Sequence, residues 1–140
     1  MSVLYTASAT ATGEGRNGHS RSSDGMLDVD LATPVEMGGP GGATNPEQLF
    51  AVGWSACFLN ALKRMAREGK LPIADAAVTV DVALGPDGAG GFQLSAALHV
   101  EMSGVDQATA DKLVEVTHQV CPYSNATRGN IEVTIDTLVG

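Results

Sequence analysis

The segment from Asn45 to Gly69 constrains the fold most, because it predicts one long helix with few polar residues in its first half. Asn45 is a good N-cap, and Pro46 suits the first helical position. The apolar run Leu49–Leu62 is too short to span a membrane, and it favours a buried central helix. We expect the helix to end near Glu68, with Gly69 as its terminating residue.

Alternating apolar and polar residues predict strands before this helix. Within Val3–Ala11, apolar residues alternate with Ser and Thr, which indicates a half-buried strand. Gly13–Gly18 is typical of a turn, and a short polar segment, His19–Ser23, follows it. Asp24-Gly25 is a hairpin signal. Apolar and acidic residues alternate again in Leu27–Leu31, which indicates another strand. The opening of the chain is therefore predicted to be a three-stranded meander.

The second half of the chain predicts two strands, a helix and a last strand. The strands are Val78–Leu84 and Phe92–Val100, joined by a hairpin loop at Gly85–Gly91. Asp106–Val120 has the periodicity of a helix, and Ile131–Thr137 that of a strand. This order is typical of an α+β fold, and 140 residues suit a single domain over residues 1–140.

The charge of the chain argues against some partners. The formal net charge is −8, which disfavours binding to the phosphate backbone of a nucleic acid. Residues 1–15 lack the basic stretch and apolar run of a signal peptide. We therefore expect a cytoplasmic protein with neither a membrane nor a nucleic-acid partner.

Two cysteines, Cys57 and Cys121, are too few for a disulfide scaffold and should be thiols in a reducing compartment. They are either two small buried residues or a redox pair. His118 and Cys121 have no second ligand pair to complete a zinc site, so we expect no metal.

A reactive thiolate at Cys57 would need a nearby cation, because burial in an apolar helix raises the pKa of a thiol. Arg16, Arg21 and Arg128 are the candidates, and the residue types do not choose among them. Glu47 could hold a guanidinium group through two parallel hydrogen bonds.

The spacing of Glu47 and Cys57 has a consequence for assembly. Ten residues on one straight helix place them about 15 Å apart. Either the helix breaks near Gly53, or Glu47 serves the cysteine of a second subunit. Two antiparallel copies would meet near Val52 and Gly53, and on this argument we predict a homodimer with composite sites.

Three long strings carry a resemblance to a known family. They are GGPGGATNPEQLF at Gly38–Phe50, Ala56-Cys57-Phe58, and CPYSNATRGNI at Cys121–Ile131. Together with the opening Tyr5–Gly25, they resemble the organic hydroperoxide resistance (Ohr) branch of the OsmC/Ohr family over essentially the whole chain. Trp54 stands where tyrosine is commoner in that branch.

The resemblance implies a peroxidase that reduces organic hydroperoxides, both alkyl and fatty-acid, to alcohols. Cys57 matches the peroxidatic thiol and Cys121 the resolving thiol. Arg16 matches the arginine that stabilises the thiolate, and Glu47 the carboxylate that orients this arginine. The resemblance also implies an intertwined homodimer and a dihydrolipoyl group on a partner protein as reductant, without metal, flavin or haem.

Substrate preference should come from an apolar pocket. The residue types propose Met37, Phe50, Phe58 and Tyr123 as lining residues, and each could equally belong to the core. Two other functions stay open from the sequence. One is a thiol redox sensor or small-molecule carrier, and the other is a structural dimer with inert cysteines.

Overall fold

The computed structural model describes all 140 residues and divides into two compact units, Met1–Leu49 and Phe50–Gly140. Each unit holds one three-stranded sheet, and the helices follow the first sheet along the chain. The α+β class and the order of the predicted elements are confirmed. A single domain over residues 1–140 stays a prediction.

The first unit contains the predicted meander. Strands β1 (Ala9–Thr12), β2 (His19–Ser22) and β3 (Asp28–Asp30) pair antiparallel in the order β1-β2-β3. Gly25 turns the chain between β2 and β3 with a φ of +73°, a conformation that favours glycine. The carboxylate of Asp24 accepts a hydrogen bond from the Met26 N–H at 2.9 Å and fixes this turn.

Strand β1 is shorter and more exposed than predicted. It begins at Ala9 instead of Val3, and all four of its residues are exposed. Residues 1–8 form no strand, and Leu4 is fully exposed. Alternation marks a face that can be buried, but no element of this unit covers the face. The half-buried strand Val3–Ala11 was therefore wrong in its extent and its burial.

Helix α1 (Pro46–Glu68) has the predicted bounds. The Asn45 side chain accepts a hydrogen bond from the Gln48 N–H at 2.9 Å, as expected of an N-cap. At the other end, the left-handed residue is Lys70 with a φ of +53°, and not Gly69. The Leu71 N–H donates back to the Ala66 carbonyl at 2.8 Å, which completes a Schellman motif. No helix of the chain has the length and apolar character needed to cross a bilayer.

The second unit is built on a mixed sheet. Strands β4 (Ala74–Pro86) and β5 (Phe92–Ser103) form a long antiparallel hairpin, and β6 (Glu132–Val139) pairs parallel with β5. Helices α2 (Gln107–Val120) and α3 (Pro122–Thr127) connect β5 to β6. The parallel pairing requires such a crossover connection.

Helix α3 was missed by the sequence analysis. Its six residues are too few to show helical periodicity, and Ser, Asn and Thr usually favour turns. Pro122 at the first helical position was the one available signal.

The hydrophobic core of the second unit lies between the sheet and helices α1 and α2. Trp54, Phe58 and Leu62 of α1 are fully buried in it. The opposite face of α1 carries Val52 and Ala56, which are both exposed. The predicted buried central helix is therefore buried on one face only in the single chain, because no element of this unit covers the opposite face.

Candidate active site

Arg16 and Glu47 form a two-pronged ion pair in the first unit. The Arg16 Nη1 donates to Glu47 Oε2 at 2.9 Å, and Nη2 donates to Oε1 at 2.5 Å. The Glu47 side chain is mostly buried, with 16% exposed, whereas Arg16 is 37% exposed. A planar guanidinium held in this way has a fixed orientation, which a flexible lysine would lack.

Two local structures position this pair. Arg16 lies in the turn between β1 and β2, where Gly13 and Gly15 have φ angles of +70° and +72°. Glu47 lies in the first turn of α1, directly after the Asn45 cap. The hydrogen bonds from Arg16 lower the pKa of Glu47, and those to Glu47 raise the pKa of Arg16. Both groups therefore stay charged around neutral pH.

Cys57 and Cys121 come together in the second unit as free thiols. Their Sγ atoms lie 3.8 Å apart, although the residues are 64 positions apart in the chain. Cys57 is half-buried on α1, and Cys121 is fully buried at the junction of α2 and α3. A disulfide needs about 2 Å between the sulfur atoms, so a small movement would join them.

The surroundings of Cys57 raise the pKa of its thiol. Burial is the largest cause, and the neighbouring Cys121 sulfur adds to it. The Tyr123 backbone N–H acts in the opposite direction by hydrogen bonding to the sulfur. No cationic side chain of residues 50–140 contributes. The second unit therefore brings the two sulfurs together without supplying a charge that activates Cys57.

The other two candidate arginines have different partners. Arg21 lies on β2 and pairs with Asp28 at 3.6 Å. Arg128 donates to the Asn125 side chain at 3.0 Å and to the His118 carbonyl. Of the three arginines that the sequence proposed, Arg16 alone is held by a mostly buried carboxylate.

The four proposed pocket residues have different positions. Phe50 and Tyr123 pack together with ring centroids 6.0 Å apart, whereas Phe58 is fully buried in the core. Met37 belongs to the first unit, in a short 3-10 turn, and is exposed. A substrate-lining role for these residues stays a prediction.

Trp54 and Gly53 extend this aromatic cluster and were missed as site residues. The Trp54 ring stacks on Phe50 at 5.5 Å. A side chain at Gly53 would stand 3.1 Å from the Tyr123 hydroxyl, so glycine permits the close approach of Tyr123. The spacing of Phe50 and Trp54, one helical turn apart, was the signal for their contact.

Some buried polar groups of the second unit have no hydrogen-bond partner. The indole N–H of Trp54 and the hydroxyl of Ser124 are buried and have no hydrogen-bond partner. No group of three or more His, Cys, Asp or Glu side chains is arranged to hold a metal ion.

Known proteins are similar to this chain over nearly its whole length. Residues 39–136 match the family described as OsmC-like protein. The chain is 53% identical over 135 residues to the organic hydroperoxide resistance protein of Xanthomonas axonopodis pv. citri, covering 95% of this chain and 94% of that protein.

Solved structures are also similar to this chain over nearly its whole length. An organic hydroperoxide resistance protein from Legionella pneumophila has a TM-score of 0.94 at 47% identity, covering 99% of this chain and 100% of that one. A putative one from Vibrio cholerae, with captopril in one of its active sites, has a TM-score of 0.89 at 50% identity, covering 99% and 94%. The chain therefore belongs to the OsmC/Ohr family, on the branch of the organic hydroperoxide resistance proteins.

Proposed function

We propose that this protein reduces organic hydroperoxides to alcohols, with Cys57 as the peroxidatic thiol and Cys121 as the resolving thiol. The distance of 3.8 Å between the two sulfur atoms carries the proposal, since it suits a thiol pair that closes to a disulfide in each cycle. The names of the relatives support organic hydroperoxides as substrates and protection against oxidative stress as the role.

The proposed cycle balances in three steps. The Cys57 thiolate attacks one peroxide oxygen, the O–O bond breaks, and the alkoxide takes up a proton to leave as an alcohol. Cys57 is then a sulfenic acid, and Cys121 condenses with it to form a disulfide and water. A dithiol returns both cysteines to thiols and becomes a disulfide itself. We infer that this dithiol is a dihydrolipoyl group on a partner protein, and the cycle uses no metal or other bound cofactor.

Activation of Cys57 needs a cation from outside residues 50–140, because its surroundings there raise the pKa of the thiol. We infer that Arg16, held by Glu47, supplies this charge. A guanidinium keeps its proton when it is partly desolvated, so it can stabilise both the thiolate and the departing alkoxide.

A homodimer would bring these groups together. Helix α1 is continuous from Pro46 to Glu68, so no break near Gly53 shortens the distance of about 15 Å along the helix from Glu47 to Cys57. Val52 and Ala56 leave an apolar stripe of this helix exposed. We propose that two copies pack these stripes together, so that Glu47 and Arg16 of one copy serve Cys57 of the other. A reducing cytoplasm would keep the thiols ready for reaction.

Peroxide consumption by the purified protein tests the proposal. Cumene hydroperoxide with dihydrolipoamide should be turned over many times, and hydrogen peroxide more slowly because it gains nothing from apolar burial. The Cys57→Ser variant, which keeps the size of the side chain, should be inactive. One stoichiometric oxidation without turnover would favour a redox sensor, and activity in Cys57→Ser would exclude the assigned thiol.

A further inference from the structure

The turn that carries Arg16 is rich in glycine. Between β1 and β2 the chain passes through Gly13, Gly15 and Gly18, and the first two have positive φ angles. Glycine has more conformational freedom to lose than any other residue, so such a turn needs contacts that hold it. The Gly18 N–H donates to the Gly15 carbonyl at 3.0 Å, but this hydrogen bond lies within the turn itself. The backbone at Arg16 is therefore fixed by contacts with another segment of the chain.

Asn17, the residue after the arginine, is joined to Thr33 by two hydrogen bonds. The Thr33 N–H donates to Asn17 Oδ1 at 2.9 Å, and Asn17 Nδ2 donates to Thr33 Oγ1 at 3.1 Å. A backbone donor on one side of the amide defines which way the amide points. The Leu31 N–H adds a third hydrogen bond, to the Gly18 carbonyl at 2.9 Å. The turn is thus attached to the chain just after β3.

The same stretch of chain, residues 31–33, also holds the start of α1, and we call it the anchor strip. The Ala32 N–H donates to the Thr44 carbonyl at 2.9 Å, and the Thr44 hydroxyl donates to the Gln48 side chain at 2.8 Å. Glu47 lies in this first turn of α1. Although the two partners of the ion pair are 31 positions apart in the chain, both are attached to the anchor strip.

Thr33 is itself held by the glycine-rich loop Gly38–Gly42. The Thr33 carbonyl accepts a hydrogen bond from the Gly41 N–H at 3.0 Å. Gly39 lies directly against Thr33, and a side chain at this position would overlap with the threonine. Thr33 therefore has little room to move. The glycine-rich loop fixes Thr33, and Thr33 fixes Asn17.

We propose that Asn17 is a positioning residue for Arg16. Its two hydrogen bonds to Thr33 hold the arginine where its guanidinium meets Glu47. The ion pair orients the guanidinium, but Arg16 is 37% exposed, and such a pair contributes little against the entropy of a long side chain. Fixing the backbone at the base of this side chain removes part of that entropy. The effect on Cys57 rests on the proposed function, whereas the effect on Arg16 does not.

Alkylation of Cys57 against pH, in a Cys121→Ser background, tests the route through the arginine. Asn17→Ala loses both hydrogen bonds, so Arg16 spends less time in position and the pKa of the Cys57 thiol rises. Alkylation at neutral pH should slow by about five-fold. In an Arg16→Ala background, Asn17→Ala should slow it no further, because Asn17 acts only through this arginine.

The matched control is Asp24→Ala, at the opposite end of β2 from the arginine. The Asp24 carboxylate also accepts two hydrogen bonds, from the Met26 N–H at 2.9 Å and the Ser22 hydroxyl at 2.7 Å. Asp24→Ala therefore weakens the same small sheet by a comparable amount. It should leave the pH profile of Cys57 alkylation unchanged.

Two substitutions of Thr33 isolate its hydroxyl group. Thr33→Val keeps the shape of the side chain but cannot accept the hydrogen bond from Asn17 Nδ2, so alkylation of Cys57 should slow by about two-fold. Thr33→Ser keeps the hydroxyl and should match the wild type. When Asn17→Ala is already present, Thr33→Val should have no further effect, because the partner of the hydroxyl is gone.

NMR of the Arg16 side chain measures its position without any peroxide chemistry. Rotation about the Nε–Cζ bond is slow while Glu47 binds both Nη atoms. This rotation should become faster in Asn17→Ala and stay slow in Asp24→Ala. A general loss of stability would not distinguish these two variants.

The outcomes separate this inference from the proposed function. Unchanged Arg16 rotation in Asn17→Ala, with normal turnover of cumene hydroperoxide by the wild type, overturns the positioning role alone. A loss of alkylation rate that persists in the Arg16→Ala background also overturns it. Equal rates in Thr33→Val and Thr33→Ser do the same, even where Asn17→Ala does not fold. Faster Arg16 rotation in Asn17→Ala, in a protein that turns over no hydroperoxide, supports the positioning role and removes the proposed function.

Discussion

Cys57 and Cys121 have different surroundings, although their sulfur atoms lie 3.8 Å apart. Cys57 is half-buried, whereas Cys121 is fully buried. This difference in exposure fits the proposed roles, in which Cys57 meets the peroxide and Cys121 acts second. The residue types alone gave no such distinction, and the proposed roles came from the resemblance.

The two cysteines should fail in different ways when they are replaced. Without a resolving thiol, Cys121→Ser should consume about one equivalent of hydroperoxide and then stop, because the Cys57 sulfenic acid is oxidised further. Cys57→Ser should consume none. Mass spectrometry after peroxide treatment checks this, as a gain of oxygen on Cys57 in the first variant only. Equal and partial losses of activity in both variants would contradict the assigned roles.

Arg16→Lys should slow the reaction of Cys57 by about tenfold at neutral pH, corresponding to one pKa unit of lost thiolate stabilisation. A lysine keeps the charge but not the two parallel hydrogen bonds to Glu47. The measurement is the rate of Cys57 alkylation against pH in a Cys121→Ser background. The matched control is Arg21→Lys, which should leave the profile unchanged. An unchanged pH profile of alkylation in Arg16→Lys would contradict the role of Arg16 in stabilising the Cys57 thiolate.

His99 should make stability depend on pH. It lies between Asp81 at 2.8 Å and Asp136 at 2.7 Å, and these hydrogen bonds raise its pKa above the ordinary 6.5. The protonated form is thus favoured in the folded state. Its stabilisation is complete below about pH 6.5 and is lost as pH rises through the raised pKa.

Denaturant unfolding of wild type and His99→Gln across pH 5 to 9 checks this sign, with about half-unit steps around the ordinary histidine pKa. The difference in stability should be largest at acid pH and should shrink at alkaline pH. His118→Gln serves as a control with the opposite pH dependence. Burial lowers the pKa of His118, so protonation of this histidine at acid pH destabilises the folded protein. A difference for His99→Gln that does not vary with pH would contradict the assignment.

Helix α1 is the element that the sequence predicted best. Asn45 and Pro46 mark its start, and both of its predicted bounds were confirmed. At its C-terminal end, Lys70 rather than Gly69 takes the left-handed conformation. Helix α3 shows the opposite case, because six residues contain too little periodicity to be predicted. The strands β4, β5 and β6 were predicted in order, and the start of β5 at Phe92 was confirmed. Their other ends were not predicted, since pairing with neighbours sets where a strand ends.

Asn45→Ala should destabilise the protein by about 1 kcal/mol, because the cap hydrogen bond to the Gln48 N–H is lost. It should also lower peroxidase activity, since Glu47 lies in the turn that this cap fixes. Urea unfolding and cumene hydroperoxide turnover measure the two effects. Asp106→Ala removes the cap of α2, a hydrogen bond to the Thr109 N–H at 2.9 Å, and should lower stability but not this activity. An equal loss of activity in both variants would contradict a role for Glu47 in the active site.

At the scale of the whole molecule, apolar surface remains uncovered in both units. Val3, Leu4 and Tyr5 are exposed in the first unit, and Val52 is 66% exposed in the second. Exposed apolar surface of this kind is typical of protein interfaces. The proposed homodimer would explain both an uncovered helix face and a thiol that lacks an activating charge.

Ala56→Glu should therefore convert a dimer into monomers, because it places a charge on the apolar stripe of α1. The helix itself should persist, since Ala56 is exposed in the single chain. Sedimentation measures the mass, circular dichroism the helix content, and cumene hydroperoxide turnover the activity, which should be lost together with the dimer. The control Ala108→Glu adds the same charge at an exposed position of α2 and should stay dimeric. A wild-type protein that is monomeric and active would exclude the composite site.

The sequence by itself determined the longer elements and their order but missed α3, because helix caps, turn residues and hydrophobic periodicity act over short stretches of chain. It also placed the chain in its family through long strings around Glu47, Cys57 and Cys121. Only the tertiary structure decided that Cys57 and Cys121 meet, that Arg16 and Glu47 pair, and that β6 runs parallel to β5. These contacts join residues far apart in the chain, and they depend on how the elements pack rather than on any local pattern.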